Sequence, residues 1–120
     1  MDIKGTVTVK ILSAKLTQGS SDPIAFVNFG KKSKRSKTQD EDTKNPVWNE
    51  TLEFEKTEND ESVLMFWVLD EGFKDLPLGY AGLSVYPVIF SNLNEKYHLP
   101  LFNGNNIVGE LIFHVCFKRK

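Results

Sequence analysis

The feature that most constrains this chain is an apolar alternation with period two, repeated in short runs separated by turn signals. Val7, Val9 and Ile11 alternate with Thr6, Thr8 and Lys10, and Leu111, Phe113, Val115 and Phe117 alternate with Glu110, Ile112, His114 and Cys116. Side chains on a strand point to opposite faces in turn, so this pattern describes half-buried strands and not helices. Thr51–Glu55 alternates in the same way. In Ile24–Phe29 and Val63–Leu69 both faces are apolar, and the second reads as a central strand with Trp67 buried in the core, as Phe54 is in the strand before it. The punctuation is Gln18–Pro23, Gly30-Lys31, Lys44-Asn45-Pro46, Glu58-Asn59-Asp60, Asp70-Glu71-Gly72 and Phe102–Asn106. The one helical hint is about a turn near Phe90 to Asn94. Strands at this spacing predict an all-β, antiparallel sandwich or barrel, and 120 residues hold one such domain, residues 1–120.

Composition removes several classes. No run approaches the length of apolar chain that a membrane-spanning helix needs. Residues Met1 to Gly5 lead straight into the first strand pattern without a signal-peptide profile, and Cys116 is the single cysteine. Both fit a reducing, cytoplasmic setting. A net charge of −1, from 15 basic and 16 acidic residues, argues against nucleic acid as a partner. No glycine-rich phosphate loop, paired histidines or marked nucleophile stands out, so the chain reads as a binding module and not an enzyme. His98, His114 and Cys116 lie inside strand patterns, where ordinary packing explains them.

The charge is patterned locally. Lys31, Lys32, Lys34, Arg35 and Lys37 form a basic run, followed at once by Asp40, Glu41 and Asp42. Asp22 stands just before one strand, Asp70 just after another, and Asp75 follows in the same loop. If those loops meet at one end of a sandwich, three carboxylates converge, and a hard cation such as Ca²⁺ takes oxygen ligands of this kind. The alternative is that aspartates stand in these loops for their turn chemistry.

These residues also resemble a known family. Ala14-Lys15-Leu16, Ser21-Asp22-Pro23 before an apolar strand, and above all Thr43 to Glu50 (Thr-Lys-Asn-Pro-Val-Trp-Asn-Glu) followed by Leu52-Glu53-Phe54 resemble the C2 domain. Leu64 to Asp70, Leu78-Gly79 and Gly109-Glu110-Leu111 extend the similarity over most of the chain. The resemblance implies an eight-stranded antiparallel β-sandwich whose loops at one end bind Ca²⁺ through aspartates and then contact an anionic phospholipid membrane surface. The placement of the first strand implies the family's second (type II) circular arrangement. Two departures matter. The first loop is short, with Thr17 to Ser21 where the family's first aspartate would be, and Gly72 stands where another is expected. The implied metal ligands are therefore Asp22, Asp70 and Asp75. Few carboxylates mean weak affinity, of order 10⁻⁴ M or poorer.

The resemblance also implies a lipid-binding surface at Lys31, Lys34, Arg35 and Lys37, with Lys31, Arg35 and Lys37 on one strand face and Lys34 opposite. Phe73 would stand at the tip of the third loop, either entering lipid or folding back on the sandwich. The resulting expectation is a cytoplasmic, peripheral membrane-targeting module with weak Ca²⁺ dependence. The competing one is a Ca²⁺-independent adaptor domain that binds a protein partner.

Overall fold

The computed structural model describes residues 3–37, 43–57, 62–74, 76–91 and 95–120, without the side chains of Phe73 and Glu95. Eight strands follow in chain order: β1 (Gly5–Leu16), β2 (Pro23–Phe29), β3 (Lys32–Arg35), β4 (Val47–Lys56), β5 (Val63–Asp70), β6 (Leu76–Ser84), β7 (Glu95–Asn103) and β8 (Asn106–Arg119). A 3₁₀ turn, Glu71–Phe73, sits between β5 and β6, and a six-residue helix α1, Tyr86–Ser91, between β6 and β7.

The hydrogen-bonded order is β3-β2-β5-β6-β7-β8-β1-β4, every pairing antiparallel. β6 and β7 meet only at Tyr80 opposite Phe102, whereas the other pairings run for four residues or more. The chain therefore folds into two four-stranded halves, β3-β2-β5-β6 and β7-β8-β1-β4, that face each other. Their inner faces supply the core that the alternation predicts. Val27, Phe29, Leu64, Phe66 and Val68 come from one half, and Val9, Ile11, Phe54, Leu111, Phe113 and Val115 from the other, all essentially buried. Phe66 and Phe113 touch across the halves with ring centroids 4.3 Å apart, and Phe29 meets Phe54 edge-on at 5.9 Å. Such aromatic pairs add about 0.5–1.5 kcal/mol beyond the area they bury. At Gly5 a side chain has no room, since a Cβ there would stand 2.3 Å from the Lys118 carbonyl.

Three expectations need correction. Trp67 is half-buried, not core: Phe66 and Val68 take the inward positions of β5, so Trp67 faces outward and packs on Tyr80 at 5.4 Å. The helix lies at Tyr86–Ser91, earlier than the 90–94 expected, and Asn92 to Asn94 lie outside the described residues. The basic run is not one continuous strand. β3 holds only Lys32–Arg35, so Lys31 belongs to the reversal after Gly30, whose φ of 60° makes the turn, and Lys37 lies beyond the strand.

Candidate functional site

Strand direction brings β1, β3, β5 and β7 to their C-terminal ends at one pole of the sandwich, where β2, β4, β6 and β8 begin. The described parts of four connections gather there: Thr17–Asp22, residues 36–37 and 43–46, residues 71–74, and the Gly104-Asn105 hairpin turn. They are tied to one another. Ser20 and Thr43 exchange two backbone hydrogen bonds of 2.9 Å, Thr17 donates its amide to the Val108 carbonyl at 2.9 Å, and the Trp48 indole donates to the Pro23 carbonyl at 3.1 Å. Lys31 and α1 lie at the opposite pole, with the first and last strands' outer ends.

Asp22 and Asp70 do come together. Pro23 stands directly opposite Asp70 in the β2–β5 pairing, and the Glu71 amide donates to the Asp22 carbonyl at 3.0 Å. The room between them is left by Gly72. A Cβ on that residue would stand 2.6 Å from Asp22 Oδ2, 2.8 Å from Ser21 Oγ and 3.2 Å from Asp70 Oδ1. Both carboxylates thus point into one small space. Asp75 lies outside the described residues, and among the described residues no third carboxylate, histidine or cysteine joins the pair.

Asp70 is buried and is also a structural residue. Its Oδ1 accepts from the Gly72 amide at 3.0 Å and from Ser21 Oγ at 3.3 Å, and its Oδ2 accepts from the Ser21 amide at 3.3 Å. The Gly72 bond caps the 3₁₀ turn. Burial pushes the carboxyl up. The Ser20 hydroxyl and the amides of Ser21, Gly72 and Asp22 outweigh it and hold Asp70 below its ordinary value of 3.8. The Ser20 hydroxyl is itself fully buried and makes no aligned hydrogen bond with a described residue. Two carboxylates, the buried Ser20 hydroxyl and a gap at Gly72 form a donor set that suits one hard cation. It is thin against the six to eight or so oxygens that Ca²⁺ takes. Ser20 and Ser21 escaped the sequence reading, although the run Ser20-Ser21-Asp22 could have suggested them.

The basic residues do not form a single face. Lys34 projects across the open seam between the two halves, with Nζ 5.6 Å from the centre of the Phe54 ring, and Lys32 shares its strand face and donates to the Glu55 carbonyl. Arg35 projects the other way and pairs with Glu71 in the 71–75 loop at 2.6 Å. The Lys37 amide donates to Glu50 at 2.9 Å. The Phe73 side chain lies outside the described part of the chain. Three aliphatic side chains are exposed at this same pole, Val47 at 49%, Leu76 at 52% and Ile107 at 62%. Beside Leu76 lies a hollow of about 290 Å³ walled also by Leu16, Pro77, Leu78 and Val108.

Residues 5–99 match the C2 domain family. The fold is shared with a C2 domain-containing protein from a putative elicitor-responsive gene (TM-score 0.89, 21% identity, covering 99% of this chain and 92% of that one). It is shared also with a C2 domain of a plant extended synaptotagmin 1 (TM-score 0.77, 20% identity, 100% and 98% covered). A calcium-bound structure of two C2 domains of extended synaptotagmin 2 is similar as well (TM-score 0.78, 22% identity, 96% and 46% covered).

Proposed function

The chain belongs to the C2 domain family, and from that premise we propose that it is a non-catalytic, peripheral membrane-targeting module. In this reading the loop-bearing pole docks on an anionic phospholipid surface, with one weak Ca²⁺ site at Asp22 and Asp70, Asp75 completing it. The observation that carries the reading is the convergence of the Asp22 and Asp70 carboxylates around the space left by Gly72, at the pole where Leu76 and Ile107 are exposed. Without a cation the pair repels an anionic surface. With one, the local potential reverses and lipid phosphate can complete the shell. Lys34, Arg35 and Lys37 add a metal-independent attraction, at about 1 kcal/mol for each cation close to the surface. Arg35 contributes less because Glu71 already faces it. Lys31, at the far pole, does not take part. Family likeness to a calcium-bound neighbour supports the metal assignment.

One observation favours the competing adaptor reading: Asp70 has internal partners for both oxygens, as a residue kept for loop shape would.

Vesicle sedimentation decides between them. We expect binding to phosphatidylserine-containing vesicles that rises with millimolar Ca²⁺, falls in high salt, and is absent on neutral vesicles. Asp22→Asn removes the Ca²⁺-dependent part, and replacing Lys34 and Lys37 with Gln removes much of the salt-dependent part. No binding to anionic vesicles at low salt, with or without millimolar Ca²⁺, overturns the membrane reading in favour of the adaptor.

A further inference from the structure

The outer face of the β7-β8-β1-β4 half carries a feature that the loop pole does not use. In the strand register Lys10 stands directly opposite Thr51 on β4 and His114 on β8, and His114 stands directly opposite Lys96 on β7. Residues directly opposite in antiparallel strands share a face, with Cβ atoms about 4.5–5.5 Å apart. Thr51, Lys10, His114 and Lys96 are thus one row across four strands. The row faces outward, because Val9, Ile11, Phe113 and Val115 are wholly buried on the other side.

The row holds two lysines and a histidine and no carboxylate. Lys10 and Lys96 flank His114 with no acid between them, whereas elsewhere this chain pairs its basic groups: His98 meets Glu110 at 2.7 Å on the same face, and Arg35 meets Glu71. Lys10, Lys96 and His114 make no ion pair or side-chain hydrogen bond with any described residue. Beside them is a hollow of about 340 Å³ lined by Thr8, Lys10, Thr51, His114 and Cys116. Its walls present two ammonium or imidazole donors and two hydroxyls, with Glu53, opposite Thr8, as the nearest acid in the strand register.

We propose that this row is a second binding site, for a soluble small molecule that carries a phosphate or diphosphate group. The chemistry is that of an oxyanion met from several sides by cationic and neutral donors. Lysine offers three N–H groups without an acceptor, the hydroxyls donate one each, and the imidazole donates one N–H when neutral and two when protonated. Geometry separates the site from a bilayer at the loop pole. Lys10 precedes the loop end of β1, Leu16, by six residues, which is about 20 Å along a strand. A membrane at that pole is screened over that span at physiological salt, where the Debye length is about 8 Å. The row also lies on the opposite half of the sandwich from β3 and its lysines. The occupant is therefore a soluble anion and not a lipid of the docked surface.

The test is an NMR titration of the full chain with inorganic pyrophosphate, in chelator and low salt. The expected result is saturable movement of the His114 ring signals and of the Thr8, Lys10, Thr51 and Lys96 amides. Lys10→Gln and Lys96→Gln should each weaken binding about 2- to 5-fold, in line with exposed ion pairs. The double variant should leave Ca²⁺-dependent vesicle binding unchanged, which separates this site from the membrane reading. No movement at His114 by tens of millimolar pyrophosphate overturns the proposal, and the wild-type chain alone suffices for that readout. Movement centred on Lys34 and Arg35 overturns it too. So does loss of vesicle binding in the double variant without any pyrophosphate site, which would assign the row to lipid.

Discussion

Asp70→Asn is the most informative single change, because the carboxylate is asked to do two things. In the wild-type chain three donors converge on it: the amides of Gly72 and Ser21 and the Ser21 hydroxyl. Asparagine offers one oxygen in place of two. Put at the Oδ1 position, it keeps Gly72 and sets its NH₂ against the Ser21 amide. Put at Oδ2, it keeps Ser21 and sets the NH₂ against Gly72. The Ser21 hydroxyl can rotate, but one buried backbone donor is lost in either pose. The charge that strengthened the remaining bonds is lost as well. Leaving a buried donor unsatisfied costs about 1–3 kcal/mol, so urea unfolding in chelator should show a loss of that size. Asp22→Asn is the control. Its side chain caps nothing among the described residues, while its carbonyl, which does accept the Glu71 amide, is unchanged by the substitution. It should therefore cost under about 0.5 kcal/mol. By calorimetry both variants should lose Ca²⁺ binding. An Asp70→Asn protein as stable as wild type would refute the hydrogen-bond account of Asp70. Sub-micromolar Ca²⁺ binding that survives either change would refute the site.

Phe66→Ala should cost about 3–5 kcal/mol in chemical denaturation, since the ring is buried and lies on Phe113 across the sandwich; Trp67→Ala, on the half-buried outer face, should cost about half that. Asp70 is held below 3.8 when folded, so it contributes stability at higher pH that is lost as pH falls through the lower folded value. Acid titrations of unfolding should lose that part of their slope in Asp70→Asn. Glu71→Gln removes a partly exposed ion pair with Arg35 and should cost under about 1 kcal/mol, with the difference shrinking in 1 M salt.

The strands that were legible are those whose inner positions alternate without interruption. β1, β4 and β8 show this, and their inner residues Val7, Val9, Phe54, Leu111, Phe113 and Val115 are buried as the pattern implies. Where both faces are apolar the pattern says that a strand is central but not which face is inward. The pattern alone therefore puts Trp67 in the core: β5 does lie between β2 and β6, but the larger ring faces out. β6 escaped the alternation because the pairing shifts between Val68 and Leu69 and because Gly79 and Gly82 leave gaps in its pattern. The two aspartates were legible from strand ends. Their company was not, since Ser21 and Asp70 are 49 residues apart and Arg35 and Glu71 are 36 apart. Pairs that distant follow from sheet register, which local periodicity does not contain.

Register also ties together the two proposed routes to an anionic surface. The 71–75 loop is held by three bonds at its entry: Gly72 to the Asp70 carboxylate, Glu71 to the Asp22 carbonyl, and the Glu71 carboxylate to Arg35. The loop thus begins in a fixed shape without any metal, which lowers the ordering cost of binding one. The same bonds limit what a metal can gain. A carboxylate has about four lone-pair sites, and protein donors already direct three hydrogen bonds at Asp70. A cation must share or displace them, and only Asp22 offers a second described carboxylate in the space left by Gly72. Weak affinity at the proposed site would therefore have two causes, few carboxylates and one that is already engaged. Meanwhile Arg35, the cation of β3 nearest the loop, already faces Glu71 although its side chain is exposed. In the proposed reading an anion bound at Arg35 would compete with Glu71, which follows Asp70 in the chain. The proposed metal route and the proposed basic route would then be linked at the Arg35–Glu71 contact.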